Sequence, residues 1–267
     1  MKSNRIKRYR RPWNNRSISW AYVMRLPLTI DDYEGEFIIH DTRIINGKRE
    51  EDREWIPRAV TNNDHRGYAV VIGNGQSREK FNLNLLKHHK GGLFASMRCQ
   101  TYGCNALYRD FTPDFLIAHN PAMVKEVVES GYTENKIVYS SAQQLVQYPG
   151  KLYLIPQNIN MNAGALATYM AAFDNHKNIY LIGFDNQADP THNNNMYAGT
   201  ENYGDTNSPD PDGKWLNFMS RLFDAYTDVT FTYVHGNPEY TFPEQWNWHK
   251  NVLKATYREF VSNLDIG

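Results

Sequence analysis

From residue 65 onward the sequence predicts an α/β fold, a Rossmann-like, mostly parallel sheet with flanking helices. Three observations predict it. Val70-Val71-Ile72 is a β-branched run that stops at the turn Gly73-Asn74-Gly75-Gln76-Ser77, where a helical pattern begins. From Gly67 on, short apolar runs alternate with amphipathic stretches, the pattern of strands joined by helical crossovers. The 267 residues and 41% hydrophobic content suffice for one large domain with an appendage.

The first strand, Tyr68–Ile72, can bury both faces, as a parallel strand does. Gly73 and Gly75 are expected to allow positive φ and close approach of a ligand, and Ser77 to cap the helix carrying Phe81 and Leu85. The turn is neither a Walker loop, which needs Gly-Lys-Ser/Thr, nor a Gly-x-Gly-x-x-Gly fingerprint, since Arg78 stands at the third glycine. Further strands are expected at 92–96, 114–118, 136–139, 151–155, Asn178–Ile182 and 229–234. Helices are expected at 121–130, with Pro121 in its first turn, and at Ala163–Phe173, with Leu166, Tyr169, Met170 and Phe173 on one apolar face. Two more are expected at 215–226 and 248–264. Residues 186–213, dense in Asn, Asp, Gly, Pro and Tyr, read as a lid loop of the 65–267 domain. Residues 1–64 read as an N-terminal basic arm and extension, with β-like pieces at 19–25 and 36–40 and a charged stretch at 48–54.

Net charge is zero, which removes any global electrostatic case for nucleic-acid binding. The charge is uneven, however. Lys2, Arg5, Lys7, Arg8, Arg10, Arg11 and Arg16 make an arm for an anionic or protein partner, or else a solvated tail. No apolar run is long enough to span a bilayer and the first residues lack a signal peptide's apolar core, so a cytoplasmic protein is expected. Cys99 and Cys104 have no partner ligands nearby, which suits a reducing compartment and argues against zinc. Eighteen Tyr and six Trp suit a sugar- or base-binding cleft as well as an ordinary core.

In open α/β sheets a ligand sits past the carboxyl ends of the strands, so the residues there are the candidates. Asn74, Asn105 and Asn120 follow successive strands and form a neutral amide constellation suited to a cytosine edge, a ribose hydroxyl or a phosphate. Each alone is also explained by turn formation. Asn162-Ala163-Gly164 opens the Ala-rich helix with free N–H groups. Arg78 and Arg109 suit a phosphate, although Arg109 beside Asp110 equally suits an ion pair. Asp185 ends a strand; with Asp110 and Asp114 it suits Mg²⁺, or it caps a turn.

The ordered set Gly-Asn-Gly-x-Ser, Cys-Asn-x-x-Tyr, Asn-Pro, Asn-x-Gly and Ile-Tyr-Leu-x-Gly-x-Asp, over roughly residues 68–235, resembles bacterial sialyltransferases of glycosyltransferase family 42. It also resembles the wider group of motility-associated nonulosonate transferases and the archaeal-type 6-hydroxymethylpterin diphosphokinase. The resemblance implies a metal-independent, inverting transfer of sialic acid or a related nonulosonic acid from a CMP-sugar, the co-substrate, to a glycan or other hydroxyl acceptor. It assigns Asn74, Ser77, Asn105 and Asn120 to the donor nucleotide and Asn162 and Gly164 to its sugar and phosphate, and the strand-end reading adds Gly73, Gly75, Arg78 and Asp185 as donor-binding candidates. It gives the leaving phosphate to Tyr197 and Tyr203, and the proton to a His. The family's base follows the tyrosines, whereas here no His lies between Tyr203 and His235, so His192 either serves as base from a different position or only hydrogen-bonds the loop, with His235 a second candidate. Ala163 stands where the sialyltransferases have Ser. Two other expectations stand beside this one. One is a Mg²⁺-dependent diphosphokinase of the pterin type using Asp185. The other is a non-catalytic, phage-associated structural or assembly protein, suggested by the basic arm and the missing His. A homo-oligomer is compatible with each.

Overall fold

The computed structural model describes residues 6–10, 20–24, 29–30, 33–57, 68–89, 99–148, 151–155, 161–185, 194–204, 214–240 and 243–264. Strands β1 (Ile6–Arg10), β2 (Trp20–Met24), β3 (Thr29–Ile30), β4 (Tyr33–Ile45) and β5 (Lys48–Pro57) form an antiparallel sheet in the order β1-β2-β4-β3, with β5 also paired to β4. The charged stretch 48–54 is thus part of a strand, and the reason is the turn before it. Asn46 (φ 52°) and Gly47 (φ 75°) are both left-handed, the two-residue geometry whose twist matches paired strands. Of the basic arm, Lys7, Arg8 and Arg10 fall in β1, while Lys2, Arg5, Arg11 and Arg16 lie outside the described residues.

A second, all-parallel sheet has eight strands: β6 (Tyr68–Ile72), β7 (Cys99–Cys104), β8 (Phe115–Ile117), β9 (Ile137–Ser140), β10 (Tyr153–Leu154), β11 (Asn178–Ile182), β12 (Thr230–His235) and β13 (Val252–Thr256). Their order is β10-β9-β8-β7-β6-β11-β12-β13. The chain winds outward from β6 to β10, then crosses back to place β11 on the other side of β6. Helices α1 (Pro121–Glu129), α2 (Ala142–Gln147), α3 (Ala163–Phe173), α4 (Lys214–Ala225) and α5 (Tyr257–Leu264) make the crossovers and flanks, with short 3₁₀ turns between.

Alternate residues of β6 feed two cores. Ala69 and Val71 pack with α3 and α4, and Val70 and Ile72 with α1 and α5. All four are fully buried, each Val or Ile contributing about 1.5–3 kcal/mol. Helix α3 is buried nearly all round, including Tyr169 and Met170, so the expected single apolar face is a fully enclosed helix.

Two elements differ from the sequence reading. The expected strand at 92–96 lies outside the described residues, and the strand found in that part of the chain is β7. The expected helix at 248–264 splits into a 3₁₀ turn at Glu244–Trp248, edge strand β13 and α5. Pairing with β12, from Phe231↔Val252 to His235↔Thr256, overrides the helical spacing. Thr256 and Glu259 mark the true helix start: the Thr256 hydroxyl accepts from Glu259 N–H at 3.3 Å, and the Glu259 carboxylate accepts from Thr256 N–H at 2.7 Å.

The β6 and β11 ladder continues beyond both strands, as Gly73 N–H donates to Ile182 O (2.8 Å) and Gly75 N–H to Gly183 O (2.9 Å). A Cβ on Gly73 would stand 2.3 Å from the Gly183 carbonyl oxygen. Neither backbone can yield without breaking the ladder. Gly73→Ala is therefore expected to cost about 1–3 kcal/mol or more, read as a lowered urea midpoint at unchanged slope.

Candidate functional site

The strand order reverses between β6 and β11, which is where an open parallel sheet leaves a crevice at its carboxyl end. A cleft of about 440 Å³ opens there. Its floor is Gly73, Asn74 and Gly75 after β6, Cys104 and Asn105 after β7, and Gly183, Phe184 and Asp185 after β11. Asn162, Ala163 and Gly164 at the start of α3 form one wall, and Lys214, Trp215, Leu216 and Phe218 of α4 another, with Asn194 at the mouth.

Asn74 and Asn105 share an acceptor. The Asn74 amide nitrogen donates to Cys104 O (3.2 Å) and to the Tyr203 hydroxyl (3.4 Å). Burial pushes the Tyr203 hydroxyl up to about 12, against the opposing pull of hydrogen bonds from Asn74 and Asn105. The phenol stays protonated. Both amide oxygens, Asn74 Oδ1 and Asn105 Oδ1, are buried without a hydrogen-bond partner. Asn105 also adopts φ 48°, a left-handed conformation that Asn tolerates.

The glycines line the cleft but do not take the positive φ expected of them. Gly75 has φ −66°, and the left-handed residue here is Gly183 (φ 72°). Gly73 and Gly75 are needed because the Gly183–Asp185 turn lies against them; a Cβ on Gly75 would stand 2.5 Å from Asp185 Cγ. The segment after β6 is 3₁₀, and Asp185 rather than Ser77 is the capping group. Its carboxylate accepts from Ser77 N–H at 2.7 Å and from the Ser77 hydroxyl.

Arg78 is 3% exposed and lies off the cleft lining. It donates to the Tyr197 hydroxyl (2.8 Å) and pairs with Asp110 (3.5 Å), and Tyr197 in turn donates to Asp110. Burial leads in pushing the Tyr197 phenol far up, so this hydroxyl keeps its proton. Asn120 is exposed, caps α1 through Ala122 N–H (3.0 Å) and is absent from the cleft lining. Asn162 caps α3 through Ala165 N–H (2.8 Å). His192 lies outside the described residues. His235 stacks on Tyr240 with ring centroids 4.2 Å apart, off the cleft lining. Asp114 accepts from Thr101 N–H and hydroxyl at the amino end of β8, and Asp110 belongs to Arg78, so neither joins Asp185. Among the described residues no three His, Cys, Asp or Glu side chains gather as a metal site. Cys99 and Cys104 are buried free thiols, each raised to about 12 chiefly by burial.

The sequence reading missed the α4 wall and Phe184. A search of strand ends does not reach a helix start, and it passes over an apolar residue between Gly and Asp.

Residues 194–204, part of the expected lid, fold down over the ends of β6 and β7. Met196 N–H donates to Asn74 O (2.8 Å), and Arg109 donates to Thr200 Oγ1 (2.8 Å) and Glu201 O (2.9 Å). Arg109 also grips Glu126 with two bonds, at 2.7 and 2.6 Å, so its ion pair is with Glu126 and not with Asp110. Tyr108 and Asn202 donate to the same carboxylate, each at 2.6 Å. Burial disfavours the Glu126 charge, but Arg109, Tyr108 and Asn202 outweigh it and hold the group below the usual carboxylate range. A depressed folded value means that this latch is at full strength above the ordinary Glu value and weakens as pH falls through the folded one. Hydrogen-exchange protection of 194–204 is expected to drop on acidification below about pH 4, and in Glu126→Gln to be low already at pH 7.

No protein-family model matches the chain, and no curated protein does. Among solved structures it is similar to the sialyltransferase CstII from Campylobacter jejuni in complex with a substrate analogue, cytidine-5′-monophosphate. Identity there is 11% and the TM-score 0.38, over 75% of this chain and 100% of that one. It is also similar to two single-residue variants of CST-II in complex with CMP. An Asn-to-Ala variant gives 12% identity and a TM-score of 0.41, and a Tyr-to-Phe variant 12% and 0.36, each over 75% of this chain and 99% of that one.

Proposed function

We propose that the cleft binds a nucleotide-activated sugar and that the protein is a glycosyltransferase. Its donor is a CMP-linked sialic or related nonulosonic acid and its acceptor a hydroxyl. One observation carries the reading: two buried amide oxygens, on Asn74 and Asn105, lack partners in the wall of a cleft at the switch point of a parallel sheet. A buried unpaired acceptor costs about 1–3 kcal/mol, which a ligand donor recovers. The exocyclic amine of cytosine and the ribose hydroxyls are such donors.

The rest of the cleft suits the remainder of a nucleotide sugar. Ala163 and Gly164 line it at the start of α3, where backbone N–H groups and the helix dipole favour a phosphate. A Cβ at Gly164 would meet Phe184 at 3.4 Å, so the missing side chain leaves room rather than avoiding a clash. Trp215 offers an apolar face for a sugar ring. In this reading the amides hold the base and ribose, the α3 start holds the phosphate as it leaves, and the Tyr203 phenol fixes both amides. The ordered motifs of the sequence point to the same donor class.

Titration calorimetry with CMP, CDP, UDP and GDP tests this. CMP is expected to bind at least about tenfold more tightly than UDP, and Asn105→Ala to weaken CMP by about 10–100-fold. Equal affinity for all four nucleotides, with Asn105→Ala unchanged, refutes it. Gly164→Ala provides a second check. It should preserve or slightly raise stability, since Ala favours a helix over Gly by up to about 1 kcal/mol, while weakening CMP.

A further inference from the structure

We propose that Asp185 is the general base that takes the acceptor's proton, an assignment resting on the nucleotide-sugar reading above. Among the described residues lining the cleft there is no histidine, and Asp185 is the one carboxylate. Burial raises the Cys104 thiol on the same lining to about 12.

Asp185 is also held in one orientation. The Ser77 N–H reaches one carboxylate oxygen at 2.7 Å and the Ser77 hydroxyl reaches the other. Each oxygen keeps a second lone-pair site to receive a proton. Behind Ser77, the Tyr257 hydroxyl donates to the Ser77 carbonyl and anchors the turn from below. Burial, then the Asp185 charge, raises that phenol to about 12, so it keeps its proton and does not compete. The space Asp185 fills is reserved by the absence of a Cβ on Gly75. Asp185 follows β11 at the switch point, in the same cleft as the α3 start.

The step balances without any further reagent. The acceptor O–H proton passes to an Asp185 oxygen as the acceptor oxygen bonds to the anomeric carbon. The bond from that carbon to the phosphate oxygen breaks, and CMP leaves with the electron pair. Asp185 then returns its proton to solvent.

The test uses the full chain with CMP-sialic acid as donor and water as acceptor, following CMP release and, separately, CMP binding. Asn is nearly isosteric and can accept from Ser77 N–H, so Asp185→Asn is expected to fold and to bind CMP within about threefold. Its turnover should fall by about 10²–10⁴-fold. Turnover within threefold of the parent overturns the assignment. So does loss of CMP binding in step with turnover, which would make Asp185 a ligand or a structural cap. A larger turnover loss in His192→Ala than in Asp185→Asn moves the base to His192 and also overturns it. If the parent binds CMP but releases none from CMP-sialic acid, the base assignment fails while the binding reading stands. A parent that binds no nucleotide refutes the transferase reading itself and the base with it.

Discussion

Two backbone hydrogen bonds organise this molecule: Gly73 N–H to Ile182 O and Gly75 N–H to Gly183 O. They carry the β6–β11 ladder past the ends of both strands at the place where a doubly wound sheet usually opens. The two turns are thereby pressed together so closely that neither glycine can carry a Cβ. Gly183 adopts a left-handed conformation, and the chain returns Asp185 over the first turn to cap it. What stays open lies just beyond this lock, between the α3 and α4 starts, and the two turns form its floor.

Much of the parallel sheet was legible because its strands are short apolar runs. β6, β8, β9, β11 and β12 carry Val, Ile, Leu, Phe or Tyr on both faces, and α1 and α3 announce themselves by Pro121 and by the Ala-rich run. β7 was not legible, although all six of its residues are buried. Cys-Gln-Thr-Tyr-Gly-Cys offers no apolar run, and its polar groups find partners only in the fold. Gln100 meets His176 and Thr101 meets Asp114, each from a distant position. β13 was hidden for the opposite reason, since its spacing fits a helix and only the pairing with β12 makes it a strand. The Asn46-Gly47 turn and the Thr256/Glu259 box were both readable local signals.

For the site, the rule that ligands lie past strand ends finds the floor of the cleft and misjudges its edges. Asn74, Asn105, Asn162, Gly164 and Asp185 come together, while Asn120 follows a strand three places from the reversal and faces outward. Arg78 shows the limit of reading charge from sequence. An arginine beside a glycine turn suggests a phosphate, yet here it is buried against Asp110 and Tyr197. Which partner a charged side chain finds depends on elements far away in sequence, here the segment 194–204.

The reversal of strand order also has a kinetic and thermodynamic side. β6 to β10 can assemble from contacts between successive elements, whereas pairing Ala69 with Ile179 closes a loop of roughly a hundred residues. That pairing joins β11, β12 and β13 to the rest of the sheet, and the cleft spans the seam it makes. An occupant of the cleft touches both sides of the seam and binds only once the loop has closed. Its binding free energy is therefore linked to that single closure, holding the two halves of the sheet together rather than either half on its own.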